Sequence, residues 1–219
     1  MERILGCSSH TNACFSSNRR TGDVASAAGA IVIVHDARGR PRLPFPAACA
    51  AVSSLAYSDD GSLLAVGVRG VAAGGANMNS AADAAKPSIL LWSLGGEGSS
   101  GSSPVLVSHI PDAATYGIVA LAFSPDARLL VAVGSRHDRE LLVFRLGPGA
   151  GPNSVAKIAT GRLSQRVRAL AFLSGSRGDT FVTAGERHLK FWDVSGLRDG
   201  GGGGGGPRWG EGPPGPQAL

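Results

Sequence analysis

The chain is 219 residues long, 43% apolar and 17% charged, with 33 glycines; that composition suits one packed core of short strands and turns, and it excludes a wholly disordered chain. The formal charge of +5 admits an acidic partner, but Arg19-Arg20, Arg38/Arg40/Arg42 and Arg162/Arg166/Arg168 sit in separate segments without interleaved rings, so no nucleic-acid stripe is expected. Cys7, Cys14 and Cys49 lack ligand spacing and read as free thiols, no apolar run reaches the ~18 residues of a membrane span, and residues 1–7 hold no signal-peptide core, so a soluble, cytoplasmic chain outside any membrane is expected.

Residues 13–16, 23–27 and 30–34 read as strands of a first, degenerate unit without a closing tryptophan, followed by a weaker outer strand over 42–47. Val52-Ser53-Ser54-Leu55-Ala56-Tyr57 opens a second unit. It turns at Ser58-Asp59-Asp60-Gly61, where glycine supplies a left-handed position, continues over 63–66 and closes on Trp92. The insertions 69–87 and 95–103 are rich in Gly, Ala, Ser and Asn and are expected to be mobile. An outer strand over 104–110 leads to a third unit, which opens at Ile118-Val119-Ala120-Leu121-Ala122-Phe123. That unit turns at Ser124-Pro125-Asp126-Ala127, continues over 129–133 and 140–144, and closes on Phe144. After an outer strand over 154–159, Val167-Arg168-Ala169-Leu170-Ala171-Phe172 opens a fourth unit, with further strands over 180–184 and 189–192 and a close at Phe191-Trp192-Asp193. From Gly196 onward the composition is glycine and proline, and a disordered tail is expected.

Leu55, Leu121 and Leu170 recur at intervals of 66 and 49 residues, near the ~40 to 45 residue period of propeller blades once insertions are removed. Each unit reads as a small antiparallel sheet whose inner strands are apolar on both faces because neighbouring sheets cover both. The units resemble WD40 repeats. More closely, they resemble the N-terminal blades of the mitogen-activated protein kinase binding protein and spindle-pole WD-repeat scaffold family. The matching residues are Ile4-Leu5-Gly6, Thr21-Gly22-Asp23-Val24-Ala25, Ala28-Gly29-Ala30-Ile31-Val32, Lys86-Pro87-Ser88-Ile89-Leu90-Leu91-Trp92, Ala122-Phe123-Ser124-Pro125 and Arg187-His188-Leu189-Lys190-Phe191-Trp192.

The expected fold is therefore all-β, with three clear WD40-type blades and one degenerate blade in a partial propeller. The blades span about 1–47, 48–103, 104–153 and 154–195 within one domain of 1–195, and 196–219 is tail. A closed four-blade ring, with residues 3–5 pairing onto 189–192, is the other arrangement. An open last blade would offer an edge for self-association. In WD repeats a histidine and an aspartate join a network that ties loop to blade. Here Ser108-His109 is the one counterpart of the Gly-His pair and Asp138 holds the acidic turn position. With Trp92, Phe144, His188, Trp192 and Asp193 they form the set of structural repeat positions.

Sites of chemistry are not expected. Histidines 10, 35, 109, 137 and 188 share no metal or catalytic spacing with cysteines or carboxylates, the glycine runs lack the Lys-Ser/Thr of a phosphate loop, and no Gly-x-Ser-x-Gly is present. No cofactor, metal or catalytic residue is assigned, and the chain reads as a non-enzyme. One segment has a sharper reading. Arg38, Arg40 and Arg42 followed by Leu43 and Phe45 have the layout of a kinase-docking peptide, although an outer strand explains them equally. The resemblance implies a scaffold for protein partners, either kinases or centrosome and spindle-pole components, and a microtubule- or axoneme-associated WD protein is the alternative.

Overall fold

The computed structural model describes residues 12–46, 50–70, 86–94, 103–135, 137–147, 154–173 and 178–198, without the side chains of Arg42, Leu43 and Arg198. A 3-10 turn (Asn12–Cys14) leads into the first sheet, β1 (Phe15–Ser17), β2 (Val24–Ala28), β3 (Ile31–His35) and β4 (Pro41–Pro46). The second sheet is β5 (Val52–Tyr57), β6 (Leu63–Val68), β7 (Ser88–Ser93) and β8 (Val105–Ile110). The third is β9 (Ile118–Phe123), β10 (Leu129–Gly134), β11 (Glu140–Leu146) and β12 (Val155–Arg162). The fourth is β13 (Val167–Phe172), β14 (Thr180–Gly185) and β15 (His188–Asp193), followed by a helical turn, α1 (Ser195–Arg198). Strands neighbour one another in chain order, so the described residues form three four-stranded sheets and one three-stranded sheet, all antiparallel.

The sheets stack side by side. The inner strands β1, β5, β9 and β13 touch in succession, and all four line one central cavity of about 430 Å³. This is a four-blade propeller arrangement. The degenerate first unit, despite lacking a tryptophan, is a complete four-stranded sheet. Outer strands Val105–Ile110 and Val155–Arg162 pair with β7 and β11, so the second and third sheets each end in a strand that the expected blade bounds assign to the unit that follows.

Strand alternation explains the burial. Successive side chains point to opposite faces. On β10, Leu130 and Ala132 pack toward the second sheet while Leu129, Val131 and Val133 pack toward the fourth. Three apolar layers result, one between each pair of consecutive sheets. Phe144 (2% exposed) and Leu142 (1%) fill the middle layer. Hydrogen bonds stitch the inner strands together. The Tyr57 N–H donates to Ser16 Oγ (2.9 Å), and Ser53 Oγ donates to the Ile118 carbonyl (2.6 Å).

The turn from inner to second strand is built the same way each time. Asn18, Ser58, Ser124 and Leu173 donate their N–H to the carbonyls of Asp23, Leu63, Leu129 and Thr180, at 2.8 to 3.0 Å. In the second and third sheets the side chains repeat as well, since Ser58 Oγ donates to Asp60 and Ser124 Oγ to Asp126. Burial alone would raise the Asp60 carboxyl, but its bonds from Ser58 and Ser62 outweigh that and hold it below the usual range. At the far end, β13 carries a register shift that brings its backbone over the end of β14. A Cβ at Gly185 would stand 1.9 Å from the Arg166 carbonyl oxygen, so this position requires glycine.

Residues 196–198, placed in the tail by composition, are instead part of α1. Leu197 packs on the apolar layer between the third and fourth sheets and its carbonyl accepts a hydrogen bond from Arg145. The remaining tail, the bulk of both glycine-rich insertions and the residues 3–5 considered as a closing strand lie outside the described residues.

Candidate protein-binding face

Each sheet has an end where the second strand turns into the third; Asp138 lies in that turn of the third sheet, and His188 begins the third strand just after it in the fourth. In the third sheet Asp138 is buried. Its carboxylate accepts from the N–H groups of Thr115 (3.1 Å), Tyr116 (3.2 Å) and Ser135 (3.1 Å). One side chain thus ties the β10–β11 turn to the loop that leads into β9, with charge-assisted bonds to three donors that would otherwise lose water.

The fourth sheet solves the same problem differently. The Trp192 indole N–H donates to Thr183 Oγ1 at 2.8 Å, and Thr183 Oγ1 lies 2.8 Å from His188 Nε2. All three residues are buried. The Thr183 oxygen accepts from the indole and keeps its single proton available for an unprotonated Nε2. Burial, and next the charge of Lys190, push the His188 pKa below its ordinary 6.5. Phe181 stacks under Trp192 with 13° between the ring planes. The first sheet has a looser version, Ser26 Oγ to His35 Nε2 at 3.3 Å.

Other repeat positions lie apart from this network. His109 is exposed on the outer strand β8, so it does not take the loop-tying role expected from Ser108-His109; the strand alternation turns Ser108 inward and its neighbour out. Trp92 is half-buried, and its ring sits 4.9 Å from Phe45. Asp193 is exposed and accepts from the Ser195 N–H (2.9 Å) at the start of α1. Phe144 is an apolar core residue only.

The docking-peptide reading of Arg38, Arg40, Arg42, Leu43 and Phe45 is corrected by burial. Phe45 is 6% exposed, packed into the layer between the first and second sheets, and cannot be offered to a groove on another protein. Arg40 is held by Asp36 at 2.8 Å, and bonds from the Arg40 backbone and side chain keep the Asp36 pKa low. Arg38 is exposed in the same turn. The side chains of Arg42 and Leu43 lie outside the described residues.

Sequence reasoning missed a gathering of arginines. Two adjoining concavities at the turn end, about 700 and 560 Å³, share His137, Arg139 and Leu163. Arg69, Arg166 and Arg168 line the larger one and Arg162 the smaller. The separate segments in which these residues occur are brought together by the propeller itself. No spacing along the chain announces it. Among the described residues no group of three His, Cys, Asp or Glu could hold a metal ion, and no helix is long and apolar enough to cross a membrane.

No family model matches the chain. It is 31% identical over 170 residues to centriole proteome protein 16 of Chlamydomonas reinhardtii, covering 78% of this chain and 7% of that protein. To human WD repeat-containing protein 90 it is 26% identical over 192 residues, 88% of this chain and 10% of that one. The chain therefore spans a tenth or less of the length of these curated relatives. In fold it is similar to a chain of the mitotic checkpoint complex (TM-score 0.59, 19% identity, 89% of this chain and 51% of that chain). It is also similar to Sqt1 of Saccharomyces cerevisiae (TM-score 0.57, 14% identity, 82% and 44%). With stacked four-stranded sheets, inner strands around one cavity and WD-repeat relatives, the chain has the WD40-type β-propeller fold.

Proposed function

We propose that the chain is a non-enzymatic protein-interaction platform that works at the centriole or centrosome. The similarity to a centriole proteome protein over 170 residues carries this reading, and the fold supports it. Buried polar side chains such as Asp138 and Thr183 tie turns to blades, and the exposed loops they brace suit recognition rather than chemistry. The finer expectation of a stress-kinase scaffold rests on the sequence resemblance alone. Direct microtubule binding is the second reading, favoured by the formal charge of +5.

The test is to express the fluorescently tagged chain in cycling cells and score its overlap with a centriole marker. Enrichment at centrioles supports the reading, and a diffuse signal in cells with intact centrioles overturns it. Cosedimentation with purified microtubules at two salt concentrations then separates direct lattice binding, which weakens with salt, from recruitment through another protein.

A further inference from the structure

The arginines at the turn end converge from several strand ends. Arg69 follows β6, Arg139 ends the β10–β11 turn, Arg162 ends β12, and Arg166 and Arg168 flank the start of β13. All five are exposed. Arg139 is held at φ 50°, with its N–H on the Ser135 carbonyl (2.9 Å) and its own carbonyl taken by Leu163 N–H (2.7 Å), so its backbone is fixed in both directions.

The acids nearby do not neutralise the group. Glu186 is engaged by Arg168 and lies 3.9 Å from Arg166. Asp138 is turned inward onto backbone N–H groups. Glu140 stands opposite Arg162 in the β11–β12 register, yet Arg69, Arg139 and Arg162 have no ion pair among the described residues. Beside them Tyr116, 58% exposed, leans on the His137 ring at 5.5 Å.

We propose that this groove binds an acidic polypeptide segment, a short run of glutamate or aspartate side chains. Arg139 and Arg162 receive carboxylates, Arg69 and Arg166 supply the surrounding field, and Tyr116 packs on the peptide backbone. Guanidinium groups without carboxylate partners are matched by bidentate carboxylates. A nucleic-acid strand would instead need a charged track with several stacking rings, whereas these arginines converge on two adjoining concavities beside a single exposed tyrosine. The inference goes beyond the centriolar reading and holds wherever the protein works.

The experiment is fluorescence anisotropy on the full chain with fluorescein-labelled octaglutamate, the octaglutamine counterpart and a single-stranded oligonucleotide of equal charge. The glutamate peptide binds saturably, the glutamine peptide does not, and raising salt from about 50 to about 300 mM weakens binding severalfold. Arg139→Gln with Arg162→Gln weakens it by about tenfold or more, as expected for lost charge-assisted bonds. Arg128→Gln with Lys157→Gln, on exposed residues at other places on the third sheet, leaves it unchanged. Circular dichroism confirms that each variant is folded, and Arg166→Gln with Arg168→Gln replaces the first pair if that one is not. Equal binding of both peptides, indifference to both arginine pairs, or tighter binding of the oligonucleotide overturns the proposal. Because the readout is a purified-component affinity, its failure leaves centriole enrichment untouched, and the converse also holds.

Discussion

The third and fourth sheets begin from almost the same inner strand, Ile118-Val119-Ala120-Leu121-Ala122-Phe123 against Val167-Arg168-Ala169-Leu170-Ala171-Phe172, yet they are buried differently. Every residue of β10 is buried, because the second sheet covers one face and the fourth covers the other. In the fourth sheet burial alternates. Trp192, Phe181, Thr183 and His188 face the third sheet and are buried, while Leu189 (65% exposed) and Phe191 (36%) stand on the opposite face with Ala169 and Ala171. A blade is thus a slab that needs a neighbour on each side. The stability of any residue in it depends on which neighbour it meets.

The largest expected contrast is between leucines. Leu142→Ala in the doubly covered sheet empties a site that cannot collapse, and it should cost about 2–5 kcal/mol. Leu189→Ala on the open face should change stability by no more than about 0.5 kcal/mol. Urea denaturation of the two variants checks this, and equal losses would mean that something covers the open face in solution. Gly185→Ala comes next. Its Cβ would meet backbone rather than a movable side chain, so the fourth sheet must shift, with an expected loss of about 1–3 kcal/mol.

These contrasts also show what a reading of the sequence could reach. The inner strands, the Ser-x-Asp turns and the closing aromatics follow local patterns of alternation and turn chemistry, so they were visible residue by residue. The first sheet looked degenerate because its own third strand ends at His35 rather than Trp. The missing ring is replaced across the layer by Phe45 of β4 against Trp92 of the next sheet, a contact no local pattern encodes. The polar ties were half visible. Asp138 sits where a turn acid belongs and His188 and Trp192 stand among the repeat positions, but Thr183, the residue that joins those two, is placed by cross-strand register and carries no local signal. The arginine groove was invisible, since Arg69 and Arg166 lie nearly a hundred residues apart and meet only when successive blades turn about one axis.

The polar ties sharpen the comparison further. Thr183→Val keeps shape but removes the acceptor of the Trp192 indole and the partner of His188; about 1–3 kcal/mol should be lost. The variant should also alter Trp fluorescence. Acid then distinguishes the two sheets. His188 is held below 6.5 in the fold, so the unfolded chain takes up its proton first as pH falls. Its contribution to stability is complete above 6.5, declines as pH drops from there toward the lowered folded value, and levels off below it. Melting temperatures at pH values spanning that window should fall more for the native chain than for His188→Gln. A parallel response of the two would remove His188 as the cause.

The smallest effect runs in the opposite direction and belongs to the third sheet. Gly22, Gly61 and Gly178 each stand two residues before a second strand with φ of 71° to 76°, and the matching position in the third sheet is Ala127 at φ 54°. An L-residue there carries about 1–2 kcal/mol of steric strain. Replacing it with glycine relieves the strain, but about 0.4–1 kcal/mol is returned to the freer unfolded chain, and the half-buried methyl loses its contact with the middle apolar layer. Ala127→Gly should therefore stabilise by roughly 0.5 kcal/mol, given those opposing terms. The expected readout is a rise of one to a few degrees, on the order of what such a change produces in a domain of this size. A fall in melting temperature would mean that the methyl packing outweighs the backbone strain, and that the third sheet is tightened by its turn as well as by its two neighbours.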